Sequence, residues 1–188
     1  MKTALLVFLA VLSFGRLTAG QYAKTMKTET DRTRSGNSDR WHYIANYERD
    51  VVAETLWLEA RGEGLRGIEA VASVIVNRTE REIRKGHKAL RPELMAAVCL
   101  KPRQFSCWNG MQCLKIASRL ISEKEFTTED ERRTWEYCVS TATRMIRGEF
   151  DAVGPYTHYY AMNLKSTPSW SRGLRETARI GNHVFGRL

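Results

Sequence analysis

Residues Tyr47–Arg78, YERDVVAETLWLEARGEGLRGIEAVASVIVNR, decide the fold. In the first half Val52, Leu56 and Ala60 recur every four residues, with Ala53 and Trp57 beside them. That is the period of an amphipathic helix, predicted here over 47–61. Gly62 and Gly64 end it, since glycine tolerates the backbone angles at which a helix stops. In the second half Ile68, Val71, Ala72 and Ile75 share one face, and Ala70, Val74 and Val76 make the rest apolar too. A helix over 68–78 with so little polar surface belongs in the centre of the domain.

Further along, a short helix is predicted over Pro92–Val98, with proline in its first turn, and another over Cys113–Ile121. The clearest runs from Glu129 to Arg147, opened by a T-x-x-E capping box of Thr128 and Glu131 and closed by Gly148. Its stripe is Trp135, Cys138, Val139, Ala142, Met145 and Ile146. After Gly154-Pro155 the aromatic run Tyr156–Met162 reads as a short strand or hairpin arm. Ile180–Phe185 is expected to pair with it or pack beneath it. The expected class is mainly α (α+β), with a small β element near the C-terminus.

Residues 1–20, MKTALLVFLAVLSFGRLTAG, have a positive start, an apolar run and small residues after it, the layout of a secretory signal peptide. The run is shorter than the ~20 apolar residues a membrane span needs, and no stable span is expected after cleavage. Residues 21–40 are polar and aperiodic and read as a linker, leaving 41–188 as the folded domain. The chain carries 30 Lys and Arg against 21 Asp and Glu, a formal charge of +9. This favours polyanionic surroundings: nucleic acid, anionic lipid or bacterial wall polymers. No nucleic-acid motif stands out. Four cysteines, Cys99, Cys107, Cys113 and Cys138, in an exported chain suggest two disulfides with three connectivities open. Cys107 and Cys113 look like partners, whereas Cys138 also suits a buried free thiol on its helical stripe. No pair has C-x-x-C spacing, and His158 and His183 lack a third ligand at a recognisable spacing, so both read as structural and neither metal nor cofactor is expected.

Glu59 stands where helix gives way to a glycine-permitted bend, beside Trp57 and Leu58, with Glu63 four positions on. On spacing alone this is an ordinary solvated helix end with Arg61 as partner. Shielded by its apolar neighbours, however, such a carboxyl would hold its proton more firmly and suit general-acid work.

The segment Trp57–Arg78, WLEARGEGLRGIEAVASVIVNR, closely resembles the opening motif of the SleB-like cell-wall hydrolases, the spore-cortex-lytic enzyme family. The resemblance continues in Gln104-Phe105-Ser106-Cys107, Thr157-His158-Tyr159-Tyr160-Ala161, Pro168-Ser169-Trp170 and Ile180-Gly181-Asn182-His183-Val184-Phe185, in the family's order. It implies a lysozyme-like, mainly helical catalytic domain acting on peptidoglycan, with Glu59 as catalytic acid. The implied reaction is lytic transglycosylation between N-acetylmuramic acid and N-acetylglucosamine, which requires Glu59 to face a groove wide enough for a glycan strand. Glu63 is either a partner carboxyl or, more in keeping with its place, a loop-positioning residue. Gln104, Phe105 and Ser106 are expected near the cleft, with a packed aromatic plug as the alternative for that loop. Tyr159 and Tyr160 suggest a cleft wall, and strand alternation would turn one inward and the other out. Trp170 is a candidate stacking platform or a core residue.

The segment 107–128 is longer and richer in cysteine than a minimal member would need, and no separate wall-binding repeat is evident. The competing activities are N-acetylmuramoyl-L-alanine amidase and a non-catalytic cationic wall-binding protein. An exported, wall-associated enzyme, periplasmic or extracellular, fits remodelling, germination and phage cell lysis alike, in any oligomeric state.

Overall fold

The computed structural model describes residues 37–109 and 126–188, with side chains from residue 46 onward. The signal peptide, most of the linker and the helix expected over Cys113–Ile121 lie outside the described residues.

Among the described residues four α-helices come first: α1 (Asn37–Ala60), α2 (Gly64–Arg84), α3 (Arg91–Leu100) and α4 (Glu129–Arg147). A three-stranded antiparallel sheet follows, from β1 (His158–Ala161), β2 (Arg175–Ile180) and β3 (His183–Arg187), in the order β1-β3-β2. The class is mainly α, α+β, with its sheet near the C-terminus. Helix α1 begins within the stretch read as linker.

Helix α1 packs most extensively on α4, then on α3 and α2. Its predicted stripe is the core: Val52, Ala53 and Leu56 are fully buried, and Trp57 and Ala60 nearly so. Helix α2 is buried round most of its circumference from Gly67 to Val76. The interruption is Glu69, whose carboxylate accepts a hydrogen bond from the Tyr137 hydroxyl of α4 at 2.7 Å. A buried aliphatic side chain contributes roughly 1.5–3 kcal/mol, so Ile75→Ala, at the centre of α2, would cost about 2–5 kcal/mol once its cavity is included.

The capping box of α4 forms with a displaced register. Thr128 Oγ1 accepts the Glu131 N–H at 3.2 Å, while the Glu131 carboxylate accepts from the N–H of Thr127, one residue upstream. Gly148 closes the helix with φ 75°, in the left-handed region where glycine carries no steric penalty.

Two side chains at the end of the predicted α2 stripe fasten the sheet to the helices. Asn77 Nδ2 donates to the carbonyls of Gly154 and Tyr156, each at 2.9 Å, and Arg78 Nε donates to that of Thr157 at 2.7 Å. The chain entering β1 is thus held at three points within four residues, which fixes where Tyr159 falls. Tyr159 pairs with Phe185 of β3, and Phe185 with Ala178 of β2, so these residues share the sheet face packed against the helices.

The expectation of two disulfides is corrected. Cys99 and Cys138 are free thiols buried in helices, and no disulfide is present among the described residues. Burial pushes both thiols up to about 12, so neither is a nucleophile at neutral pH. Cys113 lies outside the described residues.

Candidate active site

Helix α1 ends at Ala60 and α2 starts at Gly64, so Glu59 occupies the last turn of one helix and Glu63 the N-cap position of the next. The bend sends the two carboxylates to different partners.

The Glu59 side chain is half-buried and accepts three hydrogen bonds. Oε1 takes the Ser106 hydroxyl at 3.0 Å and the Cys107 backbone N–H at 2.7 Å. Oε2 takes the Tyr159 hydroxyl at 2.6 Å. Ser106–Trp108 forms a single 3-10 turn, which aims the Cys107 N–H at the carboxylate. That turn is anchored from behind by Trp108, whose indole N–H donates to Thr55 of α1 at 3.0 Å. Tyr159 is stacked on Phe185 at 5.2 Å and meets the His183 ring edge-on at 5.4 Å. Burial first, and then the charge of Glu59, hold its phenol well above the ordinary tyrosine range. At any physiological pH this hydroxyl therefore keeps its proton.

Glu63 turns away from Glu59 to the β2–β3 turn. One oxygen accepts the Asn182 backbone N–H, and the other lies 3.4 Å from His183 Nδ1, within ion-pair reach but without hydrogen-bond geometry. Gly181 makes this approach possible. Its φ is +56°, and a Cβ there would collide with the Glu63 carboxylate. Glu63 and Glu59 are thus joined through the sheet: Glu63 to His183, His183 to Tyr159, Tyr159 to Glu59.

A family model described as Cell Wall Hydrolase matches residues 62–186, about two thirds of the chain. The chain belongs to the cell wall hydrolase family. This is the SleB-type family that its motifs resemble, and membership makes it a peptidoglycan-degrading protein. The matched span begins just after Glu59 and includes Glu63, Ser106, Tyr159 and His183. Searches of curated proteins and of solved structures find no match.

In this cell wall hydrolase, Glu59, Ser106 and Tyr159 of the sequence-predicted residues come together. Phe105 lies beneath them as a plug, 1% exposed, 6.5 Å from the Tyr159 ring and with the Arg78 guanidinium 5.2 Å over its own ring. Gln104 is half-buried in the turn before it. Tyr160 and Trp170 are on the opposite face of the sheet from Tyr159. Among the described residues no group of three His, Cys, Asp or Glu is placed to hold a metal ion, and no helix there is long and apolar enough to cross a membrane.

His183, expected to be structural, packs edge-on against Tyr159 and lies within ion-pair reach of Glu63. Two neighbours of Glu59 have little signal in the sequence. The Cys107 N–H has no side-chain signature. Arg78 is visible as the end of the opening motif, yet its burial near Glu59 is not. Burial works against its charge, while Tyr159, Cys99 and Glu59 favour it.

Two open depressions lie near the bend. One, about 310 Å³, is lined by Glu63, Leu65, Arg66 and Arg179, among others. The other, about 260 Å³, is lined by Trp57, Arg61 and the first turn of α4. Neither is lined by Glu59, so neither is the groove expected at that carboxyl group, which stands next to exposed Ser106.

Proposed function

We propose that the chain is an exported lytic transglycosylase in which Glu59 is first the acid and then the base. Glu59 gives its proton to the glycosidic oxygen as the bond from the muramoyl C1 to that oxygen breaks. The C6 hydroxyl of the same muramoyl residue then closes on C1 and returns its proton to Glu59, giving a 1,6-anhydro product. The proton count balances, and no water is consumed.

The observation that carries this reading is the unequal donor set of the carboxylate. Oε1 faces the Ser106 hydroxyl and also a backbone N–H, which can only donate, so a proton on Oε1 would oppose that N–H. Oε2 faces a hydroxyl, which can rotate to accept. The mobile proton therefore belongs on Oε2, with Tyr159 as its gauge and the Cys107 N–H holding the other oxygen still. A hydrolase of the ordinary kind uses a second carboxyl group across the scissile bond. Glu63, the nearest candidate, is committed to Asn182 and His183, which favours its role as a positioning residue. The export half of the proposal is supported by the layout of residues 1–20.

Mass spectrometry of peptidoglycan digested by the purified chain tests the reaction. Anhydro-muropeptides are expected, and Glu59→Gln is expected to lower their yield by about 10²–10⁴. Reducing-end muropeptides would mean hydrolysis, and released stem peptides would mean amidase cleavage. Either result rejects the transglycosylase assignment.

A further inference from the structure

The outward face of the sheet carries aromatic residues for which the Glu59 site has no use. Strand alternation sends Tyr159 inward and its neighbours His158 and Tyr160 outward. By register Tyr160, Val184 and Arg179 form a row across β1, β3 and β2 on that outer face. Trp170, in the 3-10 turn Ser169–Gly173, closes over one end of the row. Its ring lies 5.4 Å from His158 at 50° and 6.0 Å from Tyr160 at 80°.

These contacts orient the indole without covering it, since Trp170 remains 37% exposed. A tryptophan whose purpose was packing would be buried far more completely. Burial, then Arg78 and Arg81, lower the pKa of His158, which favours the uncharged ring tilted against the indole. Exposed Arg172, in the turn itself, and exposed Arg179 add positive charge to the same region.

An oriented, half-open indole beside a tyrosine hydroxyl suits a pyranose ring, which has an apolar C–H face and hydroxyls around its edge. The two arginines suit the carboxylates that muramoyl peptides carry. We propose that Trp170, Tyr160 and His158, flanked by Arg172 and Arg179, form a second glycan-binding surface on the face of the sheet opposite Glu59. It holds an uncleaved stretch of the same polymer and keeps the enzyme on the wall between cleavage events. The inference rests on the peptidoglycan reading above.

The test is cosedimentation of the full chain with insoluble peptidoglycan sacculi, in a Glu59→Gln background so that the polymer stays intact. Adding Trp170→Ala is expected to weaken binding about fivefold, and Trp170→Phe to keep it within about twofold of the parent. Arg179→Glu, at an exposed position, is expected to weaken it about threefold and more steeply at low salt. Unchanged binding in Trp170→Ala and in Arg179→Glu overturns the proposal. So does a change in sedimenting mass, which would make the face a contact between copies of the chain.

With Glu59 intact, the ratio of turnover on sacculi to turnover on a soluble tetrasaccharide-peptide is expected to fall about fivefold in Trp170→Ala. A constant ratio would mean that the tryptophan does not act through the polymer, and would also overturn it. A chain that turns over neither substrate contradicts the proposed reaction, and the cosedimentation still decides the binding face.

Discussion

Glutamates of α1 and the bend after it occupy two kinds of place. Glu48 and Glu54 are 7% and 3% exposed, and each has one oxygen with no hydrogen-bond partner. Glu59, further along the same helix, is half-buried and receives three donors, while Glu63 just beyond receives a backbone N–H and faces a histidine. Helical geometry alone does not separate these cases. What separates them is the partner surface: packed helices in the first case, a 3-10 turn and a sheet in the second. Where donors are too few, burial makes a carboxyl hold its proton. Glu48 is pushed up to about 7 by burial, against a backbone hydrogen bond and with a small push from Glu93, and Glu54 is raised well above the ordinary range by burial and then by Asp50. Burial with an unpartnered oxygen gives a neutral acid that burdens the fold, whereas three donors fix the direction in which the Glu59 carboxyl group points.

The sharpest way to break this comparison is to remove each kind of carboxylate in turn. Glu59→Gln keeps the shape and the Cys107 contact but loses the transferable proton. Clearing of sacculi should fall by about 10²–10⁴ with the thermal midpoint little changed. Glu54→Gln should leave clearing nearly intact. The reverse pattern in a turbidity assay would place the chemistry on the wrong glutamate.

Stability should show the opposite ranking. The folded chain holds protons on Glu48 and Glu54 that the unfolded chain releases near pH 4.5. Stability is therefore greatest below that value and falls as pH rises towards 7 and beyond, by on the order of 3 kcal/mol from Glu48 alone. Urea midpoints at pH 5 and pH 8 measure the fall. Glu48→Gln and Glu54→Gln should each flatten it, and a midpoint that rises with pH would contradict the reading of both sites.

Much of the helical half was legible because its signals are local. The stripe of α1, the apolar girth of α2 and the caps of α4 depend on residues three or four apart, and α4 has the predicted limits Glu129–Arg147. Strand β2 was missed because Arg175, Glu176 and Thr177 are exposed and a register irregularity precedes Ala178, which leaves only Ala178 and Ile180 as an apolar pattern. Glu59 is singled out by family resemblance rather than spacing, and its role is the proposal above. Its donors have no local signal, because a backbone N–H at Cys107 and a hydroxyl one hundred residues away meet it only after the sheet has docked. The inward turn of Tyr159 and the outward turn of Tyr160 follow the alternation, but which of the two faces inward is set by the fastening of 154–157 to Asn77 and Arg78.

The link from Glu63 to the sheet is sharpened by Gly181→Ala. The added methyl meets the Glu63 carboxylate at a positive-φ position, so a loss of about 2 kcal/mol is expected from backbone strain and a displaced carboxylate. Turnover should fall with it, because His183 and Tyr159 lie on the same path. An alanine variant as stable and as active as the parent would show that Glu63 does not depend on this close approach.

The smallest effect, and the most specific, is expected from Tyr159→Phe. The ring packing on Phe185 and His183 survives, and only the hydroxyl that contacts Glu59 Oε2 is lost. One hydrogen bond to a charged group is worth about 1.5 kcal/mol, so kcat should fall roughly tenfold. If Tyr159 acts by orienting Glu59 and not by holding sugar, KM for a soluble tetrasaccharide-peptide stays near the parent value while kcat carries the loss. A rise in KM with kcat preserved would make the hydroxyl a substrate contact and remove it from the proton path. The split between the two constants separates these roles, because the phenylalanine variant leaves the fold, the Cys107 N–H and the Ser106 hydroxyl where they are.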